Sequence, residues 1–271
     1  MLAELIESFN FDYKKLSFRI PVIVIFLVFL IRTQMYIPVF ENHSTFWSNL
    51  PKTYPDRQIA YAIAGGVLFN ENFVDESLKL LTDGENAPIK NTTLYFNLAT
   101  VNMSRNNFEK VEYYSKKGLE IDSNNSKLYV KWAISKLKMM DTAGSIEKYG
   151  KAIEKNSKNT EALSNLSLIY MMKKDVPNAI KYLEISIAVD KSNSNNFNNL
   201  GVCYFNSGNK QKAEEAWLEA VKNPKLNNDA YNNLIMFYTK SNISKSLELA
   251  NELSKRGGKL KPELRKALYG N

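Results

Sequence analysis

Cysteine and histidine are almost missing: Cys203 and His43 are the only ones among 271 residues. A lone cysteine excludes an internal disulfide, and the two together cannot supply a zinc site. One histidine also leaves little from which to build a Ser-His-Asp or Cys-His mechanism. There is no Walker loop, no dinucleotide fingerprint and no cluster of metal-ligand residues, and the carboxylates are scattered. No cofactor is expected, and the chain reads as a non-enzyme. With only 11 glycines and 8 prolines it is neither collagen-like nor low-complexity, and its length is enough to bury a real core.

Positive charge is also scarcer than the net +8 suggests. Residues 255–271 carry +5 of it through Lys255, Arg256, Lys259, Lys261, Arg265 and Lys266 against Glu263. The basic balance therefore reports a short tail and not a nucleic-acid-binding face, so no nucleic-acid partner is expected.

One long apolar run exists. Residues 20–31 are uninterruptedly apolar between Arg19 and Arg32. As a helix this run covers about 18 Å of a hydrocarbon core of about 30 Å, and extension over residues 19–37 with snorkelling arginines would close the gap. A cleaved signal peptide and a buried core helix are the rival readings; no small-x-small cleavage site follows the run, and nothing polar marks a solvent face. The segment is read as a transmembrane anchor. Lys14, Lys15 and Arg19 lie upstream of it, so the N-terminus is expected in the cytoplasm and the rest outside.

The rest of the chain is one motif repeated every 34 residues. Phe197-x2-Leu200-Gly201-x2-Tyr204 followed by Ala213-x3-Trp217-x2-Ala220 is echoed by Leu163-x2-Leu166-Ser167-x2-Tyr170 and Ala179-x3-Leu183-x2-Ser186. Tyr129, Tyr95, Tyr61 and Tyr231 open the same pattern elsewhere, with one residue deleted in the last copy. Positions 4, 7, 8 and 11 make one helical stripe and positions 20, 24 and 27 another, so each unit is a helix pair. Small residues at 8 and 20 let the two helices approach, and Asn72, Asn106 and Gly208 near position 15 make the turn. Asn102 at position 11 and Val111 at 20 depart from the pattern, which predicts looser packing in the second repeat.

These residues resemble the tetratricopeptide repeat (TPR). The resemblance implies an all-α, right-handed superhelix of about six helix pairs, preceded here by one transmembrane helix. The expected division is 1–18 interfacial segment, 19–37 anchor, 38–57 linker and half repeat, 58–254 six repeats starting at 58, 92, 126, 160, 194 and 228, and 255–271 basic capping helix. In such arrays positions 2, 5, 6, 9 and 13 of the first helices face a concave groove, where asparagines at position 6 can bond a peptide main chain. The resemblance thereby nominates Asn97, Lys131, Asn165, Asn199 and Asn233 at position 6, and Asn198 and Asn232 at position 5. Asn97, Lys127 and Lys131 also match half of the family's clamp for a C-terminal carboxylate, whereas Ala62 and Gly66 stand where the other half belongs. Trp132 and Trp217 read as core residues and Cys203 as buried and inert.

The function so implied is a membrane-anchored scaffold that binds a protein partner, an extended peptide segment or the components of a membrane-associated complex, in its groove. Arrays of this kind also self-associate, though no exposed apolar stripe argues for it here. A second, weaker resemblance covers about residues 20–60. There an apolar helix runs into Thr45-Phe46-Trp47-x2-Leu50-Pro51-Lys52-Thr53-Tyr54-Pro55, as at the joint of polytopic glycosyltransferases with TPR tails. It implies an accessory tail recruiting substrate to a separate catalytic subunit.

Overall fold

The computed structural model describes residues 47–270. The described residues contain helices and turns and no strand, apart from one isolated bridge between Arg57 and Ile89. A four-residue helix, α1 (Leu50–Thr53), precedes the pairs α2 (Gln58–Asn70) and α3 (Val74–Asp83), then α4 (Thr92–Ser104) and α5 (Phe108–Ile121). The series continues as α6 (Ser126–Lys138) and α7 (Thr142–Lys155), α8 (Thr160–Met172) and α9 (Val176–Val189), and α10 (Ser194–Asn206) and α11 (Lys210–Val221). It ends with α12 (Asn228–Thr239), α13 (Ile243–Lys255) and the single helix α14 (Pro262–Tyr269). The even-numbered helices α2–α12 begin at the residues where the repeats begin. The chain forms two compact units, one closing at Val101 and one opening at Asn102.

The pairing follows from small residues at two registers. At position 8, a Cβ on Gly65 would sit 2.4 Å from the Leu81 side chain, and one on Gly201 would sit 2.5 Å from the Trp217 ring. Glycine at these points lets the large residue at position 24 of the second helix lie directly on the first helix's backbone. Position 20 is buried in every repeat, as Ser77, Val111, Ser145, Ala179, Ala213 and Ser246. The Ser77 and Ser246 hydroxyls donate to the carbonyls of Gly65 and Ile235, at 2.7 and 3.0 Å, so each second helix is tied to position 8 of its own first helix. Asn102 and Val111 are both buried, at 1% and 0% exposure.

Turn geometry repeats as well. Position 15 has positive φ in five repeats, at Asn72 (69°), Asn106 (56°), Met140 (65°), Lys174 (59°) and Gly208 (83°). This left-handed residue ends the first helix and turns the chain into the second. Asparagine and glycine tolerate it; Met140 and Lys174 hold it at a cost of about 1 kcal/mol each.

Helix starts are capped by two further periodic positions. Asn125, Asn159, Asn193 and Asn227 at position 34 cap α6, α8, α10 and α12 through their side-chain oxygens. Asn107, Asp141, Asp175, Asn209 and Asn242 cap the second helices α5, α7, α9, α11 and α13. Each accepts a hydrogen bond from an otherwise orphaned N–H of the first turn, worth about 1 kcal/mol. The amide of Asn159 also donates to Ser126 Oγ (3.2 Å), and that of Asn227 to Ser194 Oγ (3.1 Å), clasping each repeat end to end. Much of the asparagine content is thus structural.

The core of the second unit is built in successive pieces, each drawn from neighbouring repeats. At its end, α14 adds Leu264 to the buried cluster that also holds Trp217, Tyr231 and Leu253, with Leu268 packed against it. Arg256 donates to the carbonyls of Val221, Asn223 and Pro224 just past α11, so this member of the basic tail closes a helix end.

One expectation is corrected here. The placement as a single-pass membrane protein with its repeats outside the cytoplasm does not stand, because no helix among the described residues is long and apolar enough to cross a membrane. The helices of the array run 10–14 residues and alternate buried and exposed faces. At 1.5 Å per residue they reach about 15–21 Å, short of a core of about 30 Å. The interfacial segment 1–18 and the apolar segment 19–37 lie outside the described residues, as does most of the junction that resembles the glycosyltransferase joint.

Candidate functional site

The first helices present one face made of positions 2, 6, 9 and 13. In the second unit this face carries Lys127 and Lys131 on α6, Glu161, Asn165, Leu168 and Met172 on α8, Asn199 on α10, and Asn233 and Met236 on α12. Lys127 and Glu161 are exposed, and Lys131, Asn165, Asn199 and Asn233 are half-buried. Leu168, Met172 and Met236 leave apolar surface open, Met172 being 76% exposed.

The nominated asparagines separate into two groups once their partners are seen. Position 5 is turned inward. Asn232 is 1% exposed; its amide donates to the carbonyls of Asn228 and Lys259, and its oxygen accepts from the Lys261 N–H at 2.9 Å. It therefore straps the segment leading to α14 onto α12. Asn198 is also buried; its oxygen accepts from the Asn233 amide at 2.9 Å, and its carbonyl accepts from Trp217 Nε1 at 3.2 Å. Asn233 at position 6 is thereby committed to α10. In the first unit the Asn97 amide donates to the Ala62 carbonyl at 2.8 Å, and Gly66 leaves room for it, since a Cβ there would stand 3.1 Å from that nitrogen. The Asn97 and Asn233 amides thus each join one first helix to the one before it.

Lys127, Lys131, Asn165 and Asn199 are placed differently. Burial lowers the Lys131 ammonium from its usual range, and the Glu161 carboxylate partly offsets this. Asn165 is hydrogen-bonded to the buried Tyr149 phenol, which burial and the Glu161 charge push well above its usual range. Asn199 has no hydrogen-bond partner among the described residues. A shallow polar hollow of about 320 Å³ lies here, lined by Thr160, Glu161, Ser164, Asn165 and Asn193. Donors, acceptors and a carboxylate converge on it, with Leu168 and Met172 further along the same helix. Such a surface can bond an extended main chain and cover apolar side chains.

The two tryptophans differ. Trp217 is buried against Gly201, whereas Trp132 is only half-buried, with the Lys148 and Lys116 ammonium groups 4.1 and 5.0 Å from its ring centroid. Cys203 is buried, and burial pushes its thiol up to about 11, so it offers no nucleophile. Among the described residues no group of three His, Cys, Asp or Glu side chains could hold a metal.

The capping positions escaped the sequence reading, although the signal was present. From the second repeat onward asparagine or aspartate recurs just before the first and second helices at the repeat period, and that regularity marks caps.

No protein-family model matches the chain, and no curated protein does. Solved structures do match. YrrB, described as a TPR protein with an unusual peptide-binding site, superposes with a TM-score of 0.54 at 17% identity, over 69% of this chain and 97% of that one. MamA gives 0.53 at 22% identity, over 66% of this chain and 96% of that one. PilF of Pseudomonas aeruginosa gives 0.64 at 13% identity, over 79% and 92%. With such identities the likeness is one of fold, and it agrees with the helix pairs, the small residues at positions 8 and 20 and the 34-residue period. The described chain has the fold of the tetratricopeptide-repeat proteins.

Proposed function

We propose that this protein is a non-enzymatic interaction scaffold that binds an extended peptide segment of a partner protein on the first-helix face of its second unit. The observation that carries this reading is Asn199, a half-buried amide with no partner within the described residues. It lies in the register of Asn165, which lines a polar hollow, on a face that leaves Leu168, Met172 and Met236 uncovered. A side-chain amide both donates and accepts, so it can pair with a main chain whatever its sequence, while the apolar side chains supply selectivity. Lys127 and Lys131 at one end suit an acidic residue or a terminal carboxylate. Asn198, Asn232 and Asn233 are engaged in hydrogen bonds that brace the helices carrying this face. A solenoid of helix pairs suits this role better than catalysis, because it offers a long surface and no enclosed cavity.

The test is selection of peptides from a displayed library on the full chain, followed by titration of the selected peptides. An Asn165→Ala, Asn199→Ala double variant with unchanged helical content is expected to lose at least tenfold in affinity, and Met172→Ser several-fold. Unchanged affinity in both variants would remove the first-helix face as the binding site.

A further inference from the structure

The repeats serve as one another's controls, and one register breaks the pattern. Position 23 of the second helix lies over positions 7 and 11 of the first. It is Leu80, Tyr114, Lys148, Tyr182, Ala216 and Leu249 along the six repeats. Five of these side chains are long enough to cover the seam between the two helices. In the fourth repeat Tyr182 stacks on Tyr170 at position 11, with ring centroids 5.6 Å apart and planes inclined by 4°. In the third, Lys148 lies over the Trp132 ring at position 7. The fifth repeat has only the Ala216 methyl there, although Tyr204 stands at position 11 as Tyr170 does. A hollow of about 610 Å³ is left, lined by Phe197, Leu200, Tyr204, Ala216 and Leu218, with Lys212, Glu215, Glu219 and Lys222 among its borders.

We infer that this hollow between α10 and α11 is a second docking site, which receives an aromatic side chain from a partner protein, stacked on Tyr204 in the place that Tyr182 fills in the repeat before. It is independent of the first-helix face. Three features favour an aromatic occupant. Phe197, Leu200, Ala216 and Leu218 give the hollow an apolar part, against which a ring gains by leaving water. The Tyr204 ring is held by its hydroxyl, which donates to Glu184 at 2.6 Å, and is thus fixed as a stacking surface. The Lys212 ammonium lies 5.2 Å from the Tyr204 centroid on a flexible stem, so it can move to the outer face of an incoming ring and make a cation–π contact. The Lys222–Glu219 pair (2.5 Å) leaves no single sign of charge to favour an ionic ligand over a neutral ring.

The experiment uses the full chain with labelled methyl groups and two probes, N-acetyl-tyrosinamide and N-acetyl-leucinamide. The tyrosine probe should shift the Leu200 and Leu218 methyl resonances upfield and saturably, and the leucine probe should act at least tenfold more weakly. Ala216→Tyr, which supplies the residue of the second and fourth repeats, should abolish the response. If that variant does not fold, Ala216→Leu, which supplies the residue of the first and sixth repeats, should weaken it at least tenfold. The inference fails if the response does not saturate, if leucine and tyrosine probes act equally, or if the hollow-filling variants respond like the parent.

Discussion

The buried serines at position 20 allow a test in which one chemical change has opposite consequences. Ser77 Oγ donates to the Gly65 carbonyl at 2.7 Å, whereas Ser145 Oγ, equally buried at the same register, has no partner among the described residues. Replacing either by alanine removes one oxygen and gains about 0.5 kcal/mol of helix propensity. For Ser145→Ala the change also relieves a buried unsatisfied hydroxyl, worth about 1–3 kcal/mol, against about 0.3 kcal/mol for a void the size of one oxygen. The variant should be more stable by at least about 1 kcal/mol. Ser77→Ala gives up a hydrogen bond worth about 1 kcal/mol net and leaves the same void of about 0.3 kcal/mol, so with the propensity gain it should be less stable by about 0.8 kcal/mol. Urea unfolding followed by circular dichroism measures both, and the midpoints should move in opposite directions with unchanged slope. A loss of stability in Ser145→Ala, or equal shifts in the two variants, would refute the reasoning.

Met140 is 87% exposed and sits at φ 65°, so Met140→Gly should stabilise by about 0.5–1 kcal/mol, whereas Gly208→Ala at φ 83° should destabilise by about 1 kcal/mol, both read as shifts in thermal midpoint. Gly201→Ala places a Cβ 2.5 Å from the Trp217 ring, which is tied to Asn198 and cannot retreat; a loss of about 1–3 kcal/mol and a changed tryptophan fluorescence are expected. Cys203, its thiol pushed up to about 11, stays protonated at pH 8. Ellman's reagent should therefore react slowly with the native chain and at an ordinary rate in urea; fast native labelling would contradict the burial. Lys116 and Lys136 hold the Glu112 carboxyl below its usual range despite partial burial, which acts the other way. Because its folded value is depressed, its contribution is present above the ordinary carboxylate range and lost as pH falls through the folded value. Glu112→Gln should flatten the acid side of the stability profile.

What the sequence alone determined is whatever depends on spacing. The 34-residue period fixes where each helix begins, positions 8 and 20 fix how close the paired helices lie, and Asn72, Asn106 and Gly208 announce the turns. These are local rules: helical periodicity puts a residue on a face, and a missing Cβ permits an approach. The capping asparagines obeyed the same kind of rule and were legible in principle.

The tertiary structure decided which polar side chains remain available. Asn198 and Asn199 are adjacent, yet the first is locked to Asn233 and the second has no side-chain hydrogen-bond partner among the described residues. The difference lies in what a helix 35 residues away presents to each. Trp132 and Trp217 both read as core, at position 7 of a first helix and position 24 of a second, and only the structure shows Lys148 over the first ring and the second buried against Gly201. The hollow over Ala216 is likewise invisible until the six repeats are superposed, because an alanine in a helix is unremarkable by itself. Periodicity specifies the face a side chain occupies; whether that face is filled, bonded or open depends on atoms contributed from elsewhere in the chain.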